Sequence, residues 1–122
     1  MPNLNRVFLM GHLTRDPELR YTPSGSAVCD FTLALNRKWK NAEGQAQEEV
    51  SFIDCTAWAK TAETIAQYTK KGRPLFVEGY LVQDRWEAED GQKRSKIKVT
   101  VNAFQFLGQK QDEAAATEEA PI

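Results

Sequence analysis

Apolar residues recur at every second position in five separate stretches of this chain and at helical spacing in only one, which commits it to a sheet with a single helical insert. The first stretch, Leu4 to Leu13, carries Val7, Leu9, Gly11 and Leu13 on one face and Arg6, Phe8, Met10 and His12 on the other. Both faces hold apolar side chains, so this strand either lies between two layers or offers one side to a subunit contact. The segment from Asp16-Pro17 to Ser26 is rich in turn formers and ends it. A second strand, from Ala27 to about Lys38, puts Cys29, Phe31, Leu33 and Leu35 toward a core. Lys40 to Glu49, with Asn41, Gly44 and three glutamates, reads as a mobile hairpin loop. In the third strand Ser51, Ile53, Cys55 and Ala57 suit a crowded interior, against Val50, Phe52, Asp54, Thr56 and Trp58 on the other side.

The helical stretch is Thr61 to Lys71, with Ala62, Ile65, Ala66 and Thr69 on one face and Gly72 as its C-cap ahead of Pro74. A fourth strand runs from Leu75 to about Arg85, and Glu89-Asp90-Gly91-Gln92 turns it into a fifth, Arg94 to Leu107. There Ile97, Val99, Val101 and Ala103 face inward, and Lys96, Lys98, Thr100 and Asn102 outward. Residues 109–122 contain no aromatic and cannot bury enough apolar surface to order themselves, so they read as a disordered acidic tail. At 122 residues there is room for one domain, 1–108, and that tail. Five strands with one short helix between the third and fourth is the order of the OB-fold, an all-β, five-stranded, partly open Greek-key barrel.

Little in the chain suggests catalysis. It has one histidine, His12, no glycine-rich phosphate loop and no serine nucleophile in a recognisable elbow. His12 as a general base lacks any partner in the sequence, and a solvent-facing strand position accounts for it. Glu87, Glu89 and Asp90 fit a solvated hairpin tip, because no further oxygen ligands follow at the spacing of a calcium loop. Cys29 and Cys55 stand 26 positions apart with no second Cys or His nearby, and read as buried, reduced thiols. The chain is expected to be no enzyme and to need neither cofactor nor metal. No stretch resembles a signal peptide or a run of about 18 apolar residues, which makes the cytoplasm, in association with the nucleoid, the expected location. The net charge of −1 divides into +3 over the first 110 residues and −4 over the rest, a weak sign of a polyanion partner.

Binding is better supported. Trp39, Phe52, Trp58 and Trp86 fall on the polar register of a strand or at the start of a loop, each with cations close in sequence: Arg37, Lys38 and Lys40 around Trp39, Lys60 after Trp58, Arg85 beside Trp86. Aromatic platforms among cations hold unpaired nucleic acid, because every base has a π-face and every phosphate a charge. Any one of these aromatics could instead belong to a core or interface; four of them over three segments do not converge on one interior. The one helix carries Lys70 and Lys71 only at its end, which disfavours major-groove reading of a duplex.

The motifs Asn5-x-Val7-x-Leu9-x-Gly11-x-Leu13, Asp16-Pro17-Glu18-x-Arg20-Tyr21, Phe52-Ile53-Asp54-Cys55-Thr56-Ala57-Trp58, Lys70-Lys71-Gly72 and Val77-Glu78-Gly79 occur in this order and closely resemble the bacterial single-stranded DNA-binding protein family over residues 3–108. The resemblance implies a homotetramer that wraps single-stranded DNA without strong sequence preference in replication, recombination and repair. It implies stacking by Trp39, Phe52, Trp58 and Trp86, phosphate contacts from Lys60, Lys71, Arg85 and Arg20, and subunit pairing along Leu4 to Leu13. It also implies recruitment of replication and repair proteins by the tail, here ending Glu118, Glu119, Ala120, Pro121, Ile122 where the family ends in a run of acids, Pro and Phe. Asp54 and Asp84 add negative charge where several relatives carry cations, with lower affinity or steeper salt dependence as the expectation. A protein-docking accessory barrel and an RNA-binding barrel are the alternative readings.

Overall fold

The computed structural model describes residues 2–107. Its elements are β1 (Val7–Leu13), β2 (Glu18–Tyr21), β3 (Ala27–Lys40), β4 (Ala46–Trp58), α1 (Ala59–Tyr68), β5 (Pro74–Glu87) and β6 (Lys93–Phe106). The sheet runs β1-β5-β6-β4-β3, with β2 beside β3, and returns on itself where β3 meets β1. Two seams close this OB-type barrel, and both are short. The β1–β3 seam consists of His12 opposite Ala34 and Leu13 opposite Leu33. At the other, β4 and β6 run parallel through Cys55–Val99, Thr56–Thr100 and Ala57–Val101. The β3–β4 and β5–β6 hairpins are long and extend beyond the closed ring.

Closure requires backbones to approach where a side chain would intervene. A Cβ on Gly11 would lie 2.4 Å from the Ala34 carbonyl oxygen, and one on Gly79 would lie 1.9 Å from that of Thr100. Inside the ring Leu13, Phe31, Leu33, Leu75, Val77 and Val99 are almost fully buried. Each contributes about 1.5–3 kcal/mol by leaving water. Helix α1 lies against this core with Ala62 and Ile65, both fully buried. Tyr68 and Phe104 each meet Phe106 edge-on, at centroid distances of 5.9 and 5.1 Å.

Several boundaries depart from the sequence reading, each for a local reason. Glu18–Tyr21 forms a strand beyond the five expected, β2, antiparallel to Ala27–Asp30, although the stretch reads as turn. Leu19 and Tyr21 alternate with Glu18 and Arg20, but the run is only four residues long between Asp16-Pro17 and Pro23-Ser24-Gly25, too short to stand out from the turn formers. The expected loop Lys40 to Glu49 shrinks to Asn41–Gln45, because Ala46–Glu49 pair with Arg37–Lys40 beyond the barrel, where both faces meet water and polar residues suffice. Asn41 Oδ1 accepts the Glu43 and Gln45 N–H groups and fixes that turn. Helix α1 stops before Lys70, Lys71 and Gly72: Thr69 is the C-cap, and its N–H and hydroxyl both donate to the Ile65 carbonyl. Ala103 does not face inward. Glu78 pairs with Ala103 but Gly79 with Val101, so Asn102 bulges and the alternation of β6 inverts, sending Phe104 and Phe106 to the core. Ile97 keeps the inward pleat but lies past the ring and is exposed. The β1 ladder begins at Val7; ahead of it the Asn5 side chain bonds the Leu81 N–H and carbonyl, at 2.8 and 2.9 Å, as a backbone partner would. Residues 109–122 lie outside the described residues.

Burial raises both thiols, Cys29 to about 11 and Cys55 to about 12, with Asp30 and Asp54 adding to the effect. At pH 8 a thiol reagent should therefore leave both untouched in the native protein and modify both in denaturant; reaction at the native rate of a free thiol would contradict the burial. Gly79→Ala should destabilise the domain by about 1–3 kcal/mol or more in urea unfolding, since its Cβ has backbone rather than a movable side chain to displace.

Candidate nucleic-acid interface

Strand alternation and the two seams combine five strands into one outer face. On β3 and β4, Asp30 faces Thr56, Thr32 faces Asp54, Ala34 faces Phe52 and Val28 faces Trp58; on β2, Arg20 is the partner of Val28 and Glu18 of Asp30. The parallel seam brings Thr100 beside Thr56 and so adds Lys98 and Lys96, which pair with Val82 and Asp84 of β5; Trp86 follows, opposite Arg94. Phe52, Trp58 and Trp86 therefore share a pleat with Arg20, Lys96 and Lys98. The aromatics are 65%, 47% and 48% exposed, which a core role does not explain. Phe52 and Trp58 are about 20 Å apart along β4, far enough to meet different bases.

Of the other residues singled out in the sequence, Lys60 is the second residue of α1, two positions after Trp58. Ala59, in the left-handed region at φ 56°, makes the sharp turn between them. Lys71 is exposed in the turn after the helix, its backbone N–H donating to Asp16 Oδ1 at 2.9 Å. Two residues depart from the expected face. Trp39 sits on the opposite pleat of β3, with Leu33, Leu35 and Arg37, because its partner is Gln47 and not an even-numbered residue of β4. It is half-buried, and the Arg37 guanidinium stacks on its ring at 4.2 Å. Arg85 points away from Trp86 for the same reason of parity and donates to Gln83 Oε1 at 2.7 Å. Glu118, Glu119, Pro121 and Ile122 lie outside the described residues.

Sequence reasoning placed Lys96 and Lys98 outward but gave them no role. The Lys-x-Lys alternation was visible; the neighbours were not, because only the parallel seam sets β6 beside β4. Lys96 pairs with Asp54, and Lys98 Nζ with Asp84 at 3.0 Å. Arg20 Nη2 holds Asp30 at 3.0 Å, and the Thr56 hydroxyl donates to the same carboxylate at 2.8 Å. The Lys96 ammonium, followed by the Thr32 hydroxyl at 2.7 Å, holds the Asp54 carboxyl below its ordinary value. Among the described residues no group of three His, Cys, Asp or Glu side chains could hold a metal ion, and His12 is exposed.

A small closed barrel whose outer sheet face presents exposed aromatics among cations is an OB-fold of the oligonucleotide-binding type. The chain belongs to the single-strand binding protein family, whose model matches residues 4–107. It is 47% identical over 106 residues to the single-stranded DNA-binding protein of Wolinella succinogenes, covering 87% of this chain and 65% of that one. To single-stranded DNA-binding protein 3 of Listeria innocua it is 45% identical, covering 93% and 70%. The chain thus spans about two thirds of the length of these curated relatives. Among solved structures it is similar to a deletion variant of the single-stranded DNA binding protein from Thermus aquaticus, with TM-score 0.77 and 35% identity over 86% of this chain and 51% of that one. The Plasmodium falciparum SSB in its complex with ssDNA shares the fold, with TM-score 0.83 and 21% identity over 88% and 98% of the two chains.

The lowered Asp54 value has a sign for stability. A carboxyl depressed by its partners adds stability above the unfolded value of about 3.9, lost as pH falls through the lower folded value. Lys96→Met should therefore be less stable than the parent near neutrality, with the difference closing below about pH 4, and Asp54 should titrate closer to its ordinary value in that variant by carbon-detected NMR.

Proposed function

We propose that this chain binds single-stranded DNA without strong sequence preference and protects it during replication, recombination and repair. The observation that carries this reading is the common pleat of Phe52, Trp58 and Trp86, three exposed aromatics set among Arg20, Lys96 and Lys98, with Lys60 two positions after Trp58. Bases stack on the rings without regard to sequence, and the cations serve the phosphates. Trp39, Arg85 and Lys71 extend the path: Trp39 near the tip of the β3–β4 hairpin, Arg85 near that of β5–β6, Lys71 beside the end of α1. Lys96 and Lys98 join the set.

The same reading includes a homotetramer. Two features of β1 support it. Among the described residues its edge away from β5 is paired only at His12 and Leu13, with Gly11 packed against Ala34, which leaves Val7 to Met10 open to a second copy. Its outward pleat carries Phe8 and Met10, 59% and 63% exposed, with Phe8 stacked on Phe76 at 6.4 Å and Tyr80 exposed nearby on β5. Phe8, Met10 and Phe76 make an apolar patch bordered by the Arg6–Glu78 pair, of the kind that marks an interaction site. No helix of the described residues is long and apolar enough to cross a membrane. The proposed setting is the cytoplasm, with the DNA, and the acids of residues 111–122 are the proposed contact for replication and repair proteins.

Titration with oligo-dT of increasing length, against oligo-U and duplex DNA, tests the central claim. Tight binding to oligo-dT and weak binding to duplex is the expected result; preference for oligo-U would turn the reading toward RNA. Trp39→Ala, Phe52→Ala, Trp58→Ala and Trp86→Ala should each weaken binding by about 1–3 kcal/mol with little change in melting temperature. A variant that unfolds while keeping affinity per folded molecule would assign that ring to packing. Log K should fall with log salt by about 0.7 per phosphate neutralised. Light scattering at micromolar concentration should give four copies, and a monomer would end the tetramer proposal.

A further inference from the structure

The outer face carries acids in the path between Phe52 and Trp58 on one side and Trp86 on the other. Asp54, Asp84 and Asp30 border one open groove of about 310 Å³, and each sits on a cation of that same groove: Lys96, Lys98 and Arg20. All three acids come from the outward pleat, where strand alternation admits any polar residue; Asp54 and Asp30 also accept the buried Thr32 and Thr56 hydroxyls, which needs an oxygen there but no charge. Asp84–Lys98 and Asp30–Arg20 join strands already held by the β5–β6 and β2–β3 backbone ladders, while Asp54–Lys96 bridges β4 and β6 just beyond their three-residue seam. All six side chains remain partly exposed, between 24% and 54%, and such pairs stabilise a fold very little. Their effect falls on whatever else approaches the lysines.

We infer that Asp54 and Asp84 are affinity-setting residues: they occupy Lys96 and Lys98 in the free protein, so that a phosphate entering the groove must displace a carboxylate. This rests on the proposed binding of single strands. A lysine ammonium is a compact point charge, and a phosphate oxygen and a carboxylate oxygen compete for it on similar terms. The displaced carboxylate then faces the phosphate and gathers a cation from solution. Binding therefore gains less at low salt, and fewer ions are released on balance. The salt dependence of the parent protein is shallower for it, the reverse of what isolated acids on the face imply.

Asp54→Asn and Asp84→Asn test this with little change in shape. Asn keeps an oxygen to accept the Thr32 hydroxyl bond at position 54 and loses only the charge. At low salt each variant should bind oligo-dT about twofold to fivefold more tightly, the range that a half-exposed ion pair allows. The slope of log K against log salt should steepen by up to about 0.7 per lysine freed. The gain should fade toward 1 M salt, where charges are screened beyond about 3 Å. Glu89→Gln, the same charge change at the exposed β5–β6 turn, should leave affinity almost unchanged; an equal gain there would mean that net charge alone acts, and would overturn the inference. In a Lys96→Met background Asp54→Asn should lose most of its effect. Unchanged or weaker binding by both Asn variants, with melting temperature retained and Phe52→Ala still impaired, would overturn the inference while leaving single-strand binding intact. Failure of the parent protein to bind oligo-dT at all would overturn both.

Discussion

The parallel contact between β4 and β6 is only three residue pairs long, yet the rest of the molecule depends on it. It joins the β1–β5–β6 half of the sheet to the β3–β4 half, encloses Phe31, Leu33, Val77 and Val99, and sets β6 beside the aromatic strand. On the other side of β6, Gly79 lets β5 approach the Thr100 carbonyl, and the bulge at Asn102 next to it turns Phe104 and Phe106 inward beneath α1. Gly11 serves the second seam in the same way, against Ala34. A barrel this small has no slack: Gly11 at the β1–β3 seam and Gly79 at the β5–β6 bulge each admit a backbone where a Cβ would collide.

From that closure follows a division of labour across the pleat. Inward residues are small or aliphatic because the ring is narrow. Outward residues are free of that constraint, and on one side they alternate between rings, hydroxyls, acids and cations. Exposed rings cost some apolar surface in water, which folding alone gives no reason to keep. Binding gives one, because stacking recovers that surface only when a base is present. The acid–base pairs between the rings belong to the same face and follow the same rule, being weak enough in the free protein to be exchanged for phosphate.

The opposite surface of the barrel shows a different solution to the same problem. Phe8, Met10 and Phe76 project from adjacent strands, with one ion pair, Arg6–Glu78, on the same pleat and Glu78 opposite Phe8. Cations interleave with aromatics on the β2–β3–β4–β6–β5 face and are nearly absent here, which separates a surface suited to a polyanion from one suited to another protein surface.

Alternation is a local property, set by the reversal of successive side chains along an extended backbone, and so the sequence by itself determined the strands at Ala27, Ser51, Leu75 and Arg94, the helix around Ile65, the core set of Phe31, Leu33, Cys55 and Val99, and the exposure of Phe52, Trp58 and Trp86. The family motifs were legible for the same reason, since they are short and contiguous. What tertiary structure alone decided is everything that depends on which strand lies beside which. Strand β2 was not legible because its alternation, Leu19 and Tyr21, spans only four residues between turn formers. The inversion after Asn102 was invisible because a bulge changes the register without changing the residues. Trp39 became a strand residue on the pleat of Leu33 and Leu35, and not the start of a loop, because pairing with Ala46–Glu49 carries β3 on to Lys40. Lys96 and Lys98 acquired Asp54 and Asp84 as partners only because the sheet closes through a seam between strands more than 40 residues apart in the chain, and no local pattern encodes a neighbour at that distance.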